Sequence, residues 1–282
     1  MPILIFHCAD RYASADALTP QELEEKVEQL LQLSGCILDA GQPVYKDDEV
    51  YYAEAQPGLQ VWQLLFEDTR GLLSRDNIML LRIAIDQSVS LAAQQRAQFS
   101  MEGELGIFAD TRANALNDEE GWRSLVREFL AADPEEVTSF CRDLGIAFPR
   151  LKFSKEFPDC IGTFEGGHER YAGVLVSALA ALNDNWPDWH GGDLTQALRE
   201  FSVQSGFSTT LEGNGARKED FTFSFKVDDE RSENVICEPH MKLSTSDVPG
   251  DNTFHFNRIY FCPRPHDGFK GKLLVGHAGR HL

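Results

Sequence analysis

The chain has 282 residues, of which 42% are hydrophobic and 10% aromatic, and its formal net charge is −19. This composition provides for a buried core and excludes a wholly disordered chain, while the acidic balance argues against a generally basic protein that coats nucleic acid. The first ten residues contain no basic segment, and no apolar run approaches the roughly 18 residues of a membrane span. We therefore expect a cytoplasmic protein without a membrane segment and, from its length, two domains.

Residues 1–148 are predicted to form an acidic, mostly helical domain with a few strands. Thr19-Pro20-Gln21-Glu22 is typical of a capping box with proline at the first helical position, and Gly35 predicts the end of that helix. Further predicted elements are helices over about 76–95, after Asn117 and after 133–136, and strands at 3–7, 50–53 and 106–109.

Residues 149–282 are predicted to form an α+β domain. Apolar residues recur at helical spacing from Tyr171 to Leu182, and Asp193 and Gly206 mark the two ends of a second helix. Two helices followed by an antiparallel four-strand meander would make a compact α+β unit. The four predicted strands are 221–226, 235–243, 254–261 and 271–275.

Charge and histidine are concentrated unevenly along the chain. Residues 1–150 carry a net charge of −14, whereas residues 240–282 carry +3 and hold five of the eight histidines. A basic, histidine-rich region in an acidic chain favours a site for an anionic group such as phosphate.

Residues Glu238, His240 and Lys242 alternate within the predicted strand 235–243. Side chains two residues apart on a strand point to one face, so these three would form an acid–base or phosphate-binding cluster. If the next strand pairs with this one, Arg258 and Tyr260 lie beside the row.

The last predicted strand leads to further polar residues, among them His277 at the end of an apolar run. Polar side chains at a strand end are a common place for a site. The same pattern is also typical of the solvent-exposed face of a half-covered sheet, and that alternative stays open. The candidate catalytic residues are Glu238, His240, Lys242, Arg258 and His277, and the candidate substrate-binding residues are Tyr260, Lys272, Arg280 and His281.

Other motifs fit less well. His240-Met241-Lys242 with Asp247 matches the H-x-K-x4-D string of the phospholipase D family, but Phe254 and Arg258 stand where that family has glycine and asparagine. Glu238 and Lys242 are one residue pair too far apart for a PD-(D/E)xK nuclease. The six cysteines form no CxxC pair and the histidines show no local ligand spacing, so we predict neither a metal nor another cofactor.

The C-terminal residues resemble the RelE/ParE-type toxin superfamily. The resemblance lies in Lys242-Leu243, in Asn257-Arg258-Ile259-Tyr260-Phe261 and in the apolar segment from Lys272 to His277. It implies two helices packed on an antiparallel sheet and a metal-free ribonuclease or a binder of the nucleic-acid machinery. Lys242 and Arg258 would then bind phosphate, and His240 or His277 would serve as base or acid.

Two functions follow as hypotheses. The first is a nucleic-acid-directed effector of a prokaryotic defence or toxin-type system, with a nuclease or ribonuclease site in residues 149–282 and a protein partner within a multi-component assembly. The second is a non-enzymatic accessory subunit that docks a partner protein through its acidic N-terminal half.

Overall fold

The computed structural model describes residues 4–7, 17–46, 49–67, 71–91, 105–109, 115–134, 136–186, 191–212, 215–264 and 266–282. Helices and mixed sheets occur together in this part of the chain, which confirms the predicted α+β class. The chain forms two compact units, residues 1–124 and 125–282. The predicted boundary after residue 148 stays a prediction. Within the described ranges, no helix has both the length and the apolar character needed to cross a bilayer.

The first helix, α1 (Pro20–Asp39), begins as predicted. The Thr19 hydroxyl accepts from the Glu22 N–H, and the Glu22 carboxylate accepts from the Thr19 N–H, which completes the capping box. The predicted end at Gly35 is wrong, because buried Ile37 continues the apolar face beyond it. Further helices that begin within the described residues of the first unit are α2 (Val61–Phe66), α3 (Arg75–Gln87) and α4 (Glu119–Ala132).

The first unit contains a four-stranded sheet. Its order is β5 (Val89–Ser90), β2 (Val44–Lys46), β1 (Leu4–His7) and β6 (Gly106–Ala109), with β1 parallel to β2 and antiparallel to β6. The strand predicted at 50–53 is wrong, because that segment is a turn before the hairpin of β3 (Glu54–Gln56) and β4 (Leu59–Gln60). The helix predicted to about residue 95 ends at Gln87, and residues 92–95 lie outside the described ranges.

Helices of the second unit pack against strands of its larger sheet. In the described part of this unit the α-helices are α5 (Val137–Ala147), α6 (Phe157–Ile161), α7 (Ala172–Asn185) and α8 (Leu194–Ser205). The predicted ends of α8 are confirmed: the Asp193 carboxylate accepts from two backbone N–H groups of the first turn, and Gly206 ends the helix at a φ of 77°.

The strands of the second unit divide into two sheets. Its five-stranded sheet runs in the order β7 (Leu151–Phe153), β13 (Leu273–Arg280), β12 (Asn257–Cys262), β11 (His240–Lys242) and β8 (Thr209–Thr210). Strands β7 and β13 are parallel and the other neighbours are antiparallel. A separate hairpin consists of β9 (Thr222–Lys226) and β10 (Ser232–Ile236), so the four predicted strands do not form one meander.

The prediction of one continuous strand over residues 235–243 is wrong. Strand β10 ends at Ile236 and β11 begins at His240, in a different sheet. Pro239 has no N–H for a ladder, and its carbonyl instead accepts from the Phe261 N–H at 2.9 Å. The chain therefore changes sheets at Cys237–Pro239, and only His240 and Lys242 keep the predicted alternation.

Aromatic side chains cover both faces of the five-stranded sheet. On one face, Trp186 packs edge-on against Phe201 of α8 and Phe261 of β12. On the other face, Phe221 stacks on Tyr260 with a centroid separation of 5.4 Å. Both rings belong to a buried hydrophobic cluster that also includes residues of the hairpin. The hairpin thus covers part of the face that carries the predicted site residues, and it lowers the local polarity.

Candidate functional site

Strand register brings several of the predicted site residues onto one face of the five-stranded sheet. His240 lies opposite Tyr260, and Tyr260 lies opposite His277, so the three form a row across β11, β12 and β13. Lys242 lies opposite Arg258 one step along the same face. The predicted pairing of these strands is confirmed.

A carboxylate that the sequence did not mark as a site residue lies beside this row. The Glu212 Oε1 atom is 3.4 Å from His240 Nδ1 and 3.3 Å from His281 Nε2. The Tyr260 hydroxyl donates to the same oxygen at 3.4 Å. We call Glu212, His240, Tyr260 and His281 the Glu212 cluster.

Burial differs within the Glu212 cluster. His240 is 4% exposed and Tyr260 is fully buried, whereas the side chains of Glu212 and His281 are 16% and 38% exposed. The two buried rings therefore lie beneath two groups that a substrate can reach.

Burial also sets the protonation of the two inner rings. It lowers the pKa of His240 to about 4, against the opposing effect of the Glu212 carboxylate, so this imidazole is neutral at neutral pH. Burial likewise raises the pKa of Tyr260 to about 12, and the nearby Glu212 carboxylate adds to that rise. His240 Nε2 lies 3.2 Å from the Thr210 hydroxyl. His240 Nδ1 has no hydrogen-bond partner of good geometry among the described residues.

Lys242 and Arg258 place two cations directly opposite each other on adjacent strands, and we call them the cationic pair. Such a like-charge pair is unfavourable unless an anion lies nearby. Arg258 Nη1 donates to the carbonyls of His255 and Asn257, which holds the guanidinium, while its buried Nε has no partner in the described part of the chain. Burial lowers the pKa of Arg258. The cationic pair therefore offers charge and an unused donor to an anionic ligand.

His277 contributes to the row in a different way. It is buried, and its Nε2 donates to the Arg280 carbonyl at 2.8 Å, which fixes the end of β13. Burial lowers the pKa of His277 to about 4, so it is neutral and has one ring nitrogen already bonded. This geometry assigns His277 to the support of the strand end next to His281.

Three predicted site residues lie away from the Glu212 cluster. Glu238 is in the connection between β10 and β11 and lines a separate pocket. Lys272 precedes β13, eight residues before Arg280 and about 26 Å away along an extended strand. Arg280 is exposed at the other end of β13 and lines another pocket.

Glu212 was missed because its sequence context is typical of a turn. It precedes Gly213-Asn214-Gly215 and follows the two-residue strand β8, so neither periodicity nor a motif marks it. A signal was nevertheless present in the sequence: the glycines that follow Glu212 are typical of a turn, and a turn can bring a neighbouring carboxylate close to another strand.

No three histidine, cysteine, aspartate or glutamate side chains of the described ranges are arranged to hold a metal ion. Comparison of the chain with family models, with curated proteins and with solved structures gives no match.

Proposed function

We propose that the second compact unit binds RNA and cleaves its phosphodiester backbone by acid–base chemistry, as an effector of a prokaryotic defence or toxin-type system. The observation that carries this proposal is Glu212 Oε1, which lies within 3.4 Å of two imidazole rings and a phenol. The cationic pair on the same face supports it, since it suits a phosphate. The resemblance of residues 242–277 to RelE/ParE-type toxins implies the same class of reaction.

The proposed reaction needs one base and one acid. The ribose 2′-oxygen attacks the adjacent phosphorus while the bond from phosphorus to the 5′-oxygen of the next nucleotide breaks. Glu212 takes the proton of the 2′-hydroxyl, and protonated His281 gives a proton to the leaving 5′-oxygen. The products are a 2′,3′-cyclic phosphate and a free 5′-hydroxyl. We assign these roles to Glu212 and His281 because they are the exposed members of the Glu212 cluster.

The other side chains of the site position the Glu212 carboxylate or stabilise the transition state. The Tyr260 hydroxyl donates to Glu212 and holds its carboxylate in place, and the neutral His240 ring packs against Tyr260 beneath it, so both act as positioning residues. The cationic pair stabilises the charge that builds up on the phosphate oxygens in the transition state. DNA lacks the attacking 2′-hydroxyl and would bind without being cleaved.

A chemically defined cleavage assay tests this function. We expect the full-length protein to cleave an RNA oligonucleotide in the presence of EDTA and to leave cyclic phosphate ends, while DNA of the same sequence stays intact. Glu212→Gln and His281→Gln should each slow cleavage about 100-fold or more, as expected for the loss of a general base or acid.

His266→Gln is the matched control, because this histidine also lies beside a carboxylate, Glu233, at 3.4 Å but outside the Glu212 cluster. It should retain the full rate. Cleavage that EDTA abolishes, or that survives both Glu212→Gln and His281→Gln, would contradict the proposal, as would the absence of any cleavage.

A second candidate function is the docking of a partner protein by the acidic N-terminal half. The observation in its favour is a set of exposed apolar side chains on and beside α3: Phe66, Met79, Leu80 and Ile83. Because residues 1–150 carry a net charge of −14, the partner that fits is a basic segment with apolar anchors.

Purification of the protein from its native cells at low and high salt tests this second function. One defined partner should co-purify at low salt and be lost at high salt. Leu80→Ser should reduce its recovery, whereas Val203→Ser, which changes an exposed apolar residue of α8, should not. Equal recovery with both variants would exclude α3 as the docking surface.

A further inference from the structure

A pocket of about 480 Å³ opens at the ends of β12 and β13, and its lining residue Arg280 is the sequence neighbour of His281 in the Glu212 cluster. We call it the Asn257 pocket. It is formed by Thr163, Glu165, Thr253, Phe256, Asn257 and Arg280. The His281 N–H donates to the Phe256 carbonyl at 2.7 Å. A backbone hydrogen bond therefore connects a residue of the pocket to the proposed general acid. Asn257 precedes Tyr260 by three residues, about 10 Å along the strand, and this odd spacing puts their side chains on opposite faces of the sheet, so an RNA chain that contacts both would pass around the strand ends at His281.

The Asn257 side chain indicates that this pocket binds a polar ligand. Asn257 is 2% exposed, and its Nδ2 has no hydrogen-bond partner among the described residues. A buried donor left without a partner is unfavourable, and such a group in a native protein needs an explanation. A ligand with an acceptor atom at this point of the pocket would satisfy it.

The other lining groups define the chemistry of that ligand. Glu165 and Arg280 are exposed, and neither side chain has an ion-pair or hydrogen-bond partner in the part of the chain that the structure describes. Phe256 is 62% exposed although it is aromatic. The pocket therefore offers one buried amide donor, one carboxylate acceptor, one cation and one ring for stacking.

We infer that the Asn257 pocket binds a guanine base of the RNA next to the cleaved phosphodiester, an inference that rests on the proposed function. Among the four RNA bases, guanine alone presents an acceptor, O6, beside two donors, N1–H and the N2 amino group. The Asn257 amide donates to O6, and the Glu165 carboxylate accepts from N1–H and N2 in a bidentate pair. The base stacks on Phe256, and Arg280 binds the adjoining phosphate.

Two measurements test the inference and separate it from the proposed function. The first is cleavage of uridine oligonucleotides that contain a single guanosine, adenosine or cytidine. We expect cleavage beside the guanosine, with a preference of about tenfold or more over adenosine, the discrimination typical of a bidentate base contact. The second is calorimetric binding of guanosine 5′-monophosphate and of adenosine 5′-monophosphate, which needs no cleavage and reports on a free nucleotide.

Glu165→Gln is the principal variant, because Glu165 is exposed and we expect its replacement to preserve the fold. It should remove the guanosine preference in cleavage and weaken guanosine monophosphate binding about tenfold. Glu219→Gln, an exposed carboxylate that does not line the pocket, should change neither measurement. Asn257→Ala should also weaken guanosine monophosphate binding, with unfolding measured in parallel to confirm a folded protein.

The outcomes distinguish the two claims. Cleavage without base preference that Glu165→Gln leaves unaltered overturns the guanine inference and keeps the ribonuclease. Guanosine monophosphate binding that depends on Glu165, without cleavage of any RNA, supports the pocket and overturns the ribonuclease. Binding of the free nucleotide without a preference in RNA assigns the pocket to a mononucleotide and overturns the inference as stated.

Discussion

Two polar regions of the second unit contain the same residue types and differ in what surrounds them. The Glu212 cluster with its cationic pair combines glutamate, histidine, lysine and arginine. The pocket that Glu238 lines, which we call the Glu238 pocket, also contains Lys218, Arg264 and His266. Composition alone therefore does not distinguish them.

The Glu212 cluster and the Glu238 pocket differ in how the backbone holds their side chains and in how deeply those side chains are buried. In the Glu212 cluster, strand register fixes His240 opposite Tyr260, and burial moves the pKa of both side chains. In the Glu238 pocket, Glu238 is in a connection between strands, and His266 lies beside Glu233, 3.4 Å from its carboxylate. A site of this kind needs side chains that neighbouring strands hold in place, in surroundings that exclude water.

The largest expected effect comes from Gly279, which lies between His277 and His281. Its φ is 155°, and a Cβ atom there would meet the Cys160 carbonyl and the Thr163 hydroxyl. We expect Gly279→Ala to lower the free energy of unfolding by about 3 kcal/mol, from overpacking and backbone strain together. Denaturant unfolding of the purified protein measures this.

Gly145→Ala is the opposite control for that experiment. Gly145 lies within α5, and a Cβ atom there meets nothing within 4 Å. This variant should raise the free energy of unfolding by about 0.5–1 kcal/mol, because alanine favours a helix. Equal losses from the two substitutions would show that the end of β13 is not tightly packed.

An intermediate effect comes from the two buried histidines of the row. The folded pKa of His240 and of His277 is about 4, below the value near 6.5 of an unfolded histidine. The unfolded chain therefore binds more protons between these values. The contribution of each histidine to the free energy of unfolding should be fully present above pH 6.5. It should decrease as the pH drops toward 4, by on the order of 2 kcal/mol for each histidine.

Unfolding free energies of the wild type and of His240→Gln and His277→Gln at several pH values between 4.5 and 7.5 test this dependence. Each substitution should flatten the slope, because it removes a buried imidazole whose pKa is lowered in the folded state. An unaltered slope in both row variants would mean that neither ring is buried in solution.

The smallest expected changes in the free energy of unfolding compare one substitution in the Glu212 cluster with one in the Glu238 pocket. Tyr260→Phe removes the hydroxyl that donates to Glu212 and should lower the free energy of unfolding by about 1 kcal/mol. Glu238→Gln changes a partly exposed side chain outside any strand and should stay within about 0.5 kcal/mol of the wild type. Thermal unfolding of both variants provides the comparison. A larger loss from Glu238→Gln than from Tyr260→Phe would contradict it.

The sequence predicted much of the local structure because local signals encode it. The capping box at Thr19, the Asp193 and Gly206 ends of α8 and the α+β class follow from neighbouring residues, and the structure confirms them. The predicted strand over 235–243 was wrong because alternation cannot show where a chain leaves one sheet for another. Pro239 was the only local sign of that change.

The amino-acid sequence by itself determined which residue types could carry acid–base chemistry, and it placed His240, Lys242, Arg258 and Tyr260 at the right spacing for one face. Only the tertiary structure decided that Glu212 lies among them and that Glu238 does not. The physical reason is that spacing along a strand is a local property of the backbone. The approach of a carboxylate from a distant turn, and the burial that shifts a pKa, depend on contacts between segments far apart in the chain.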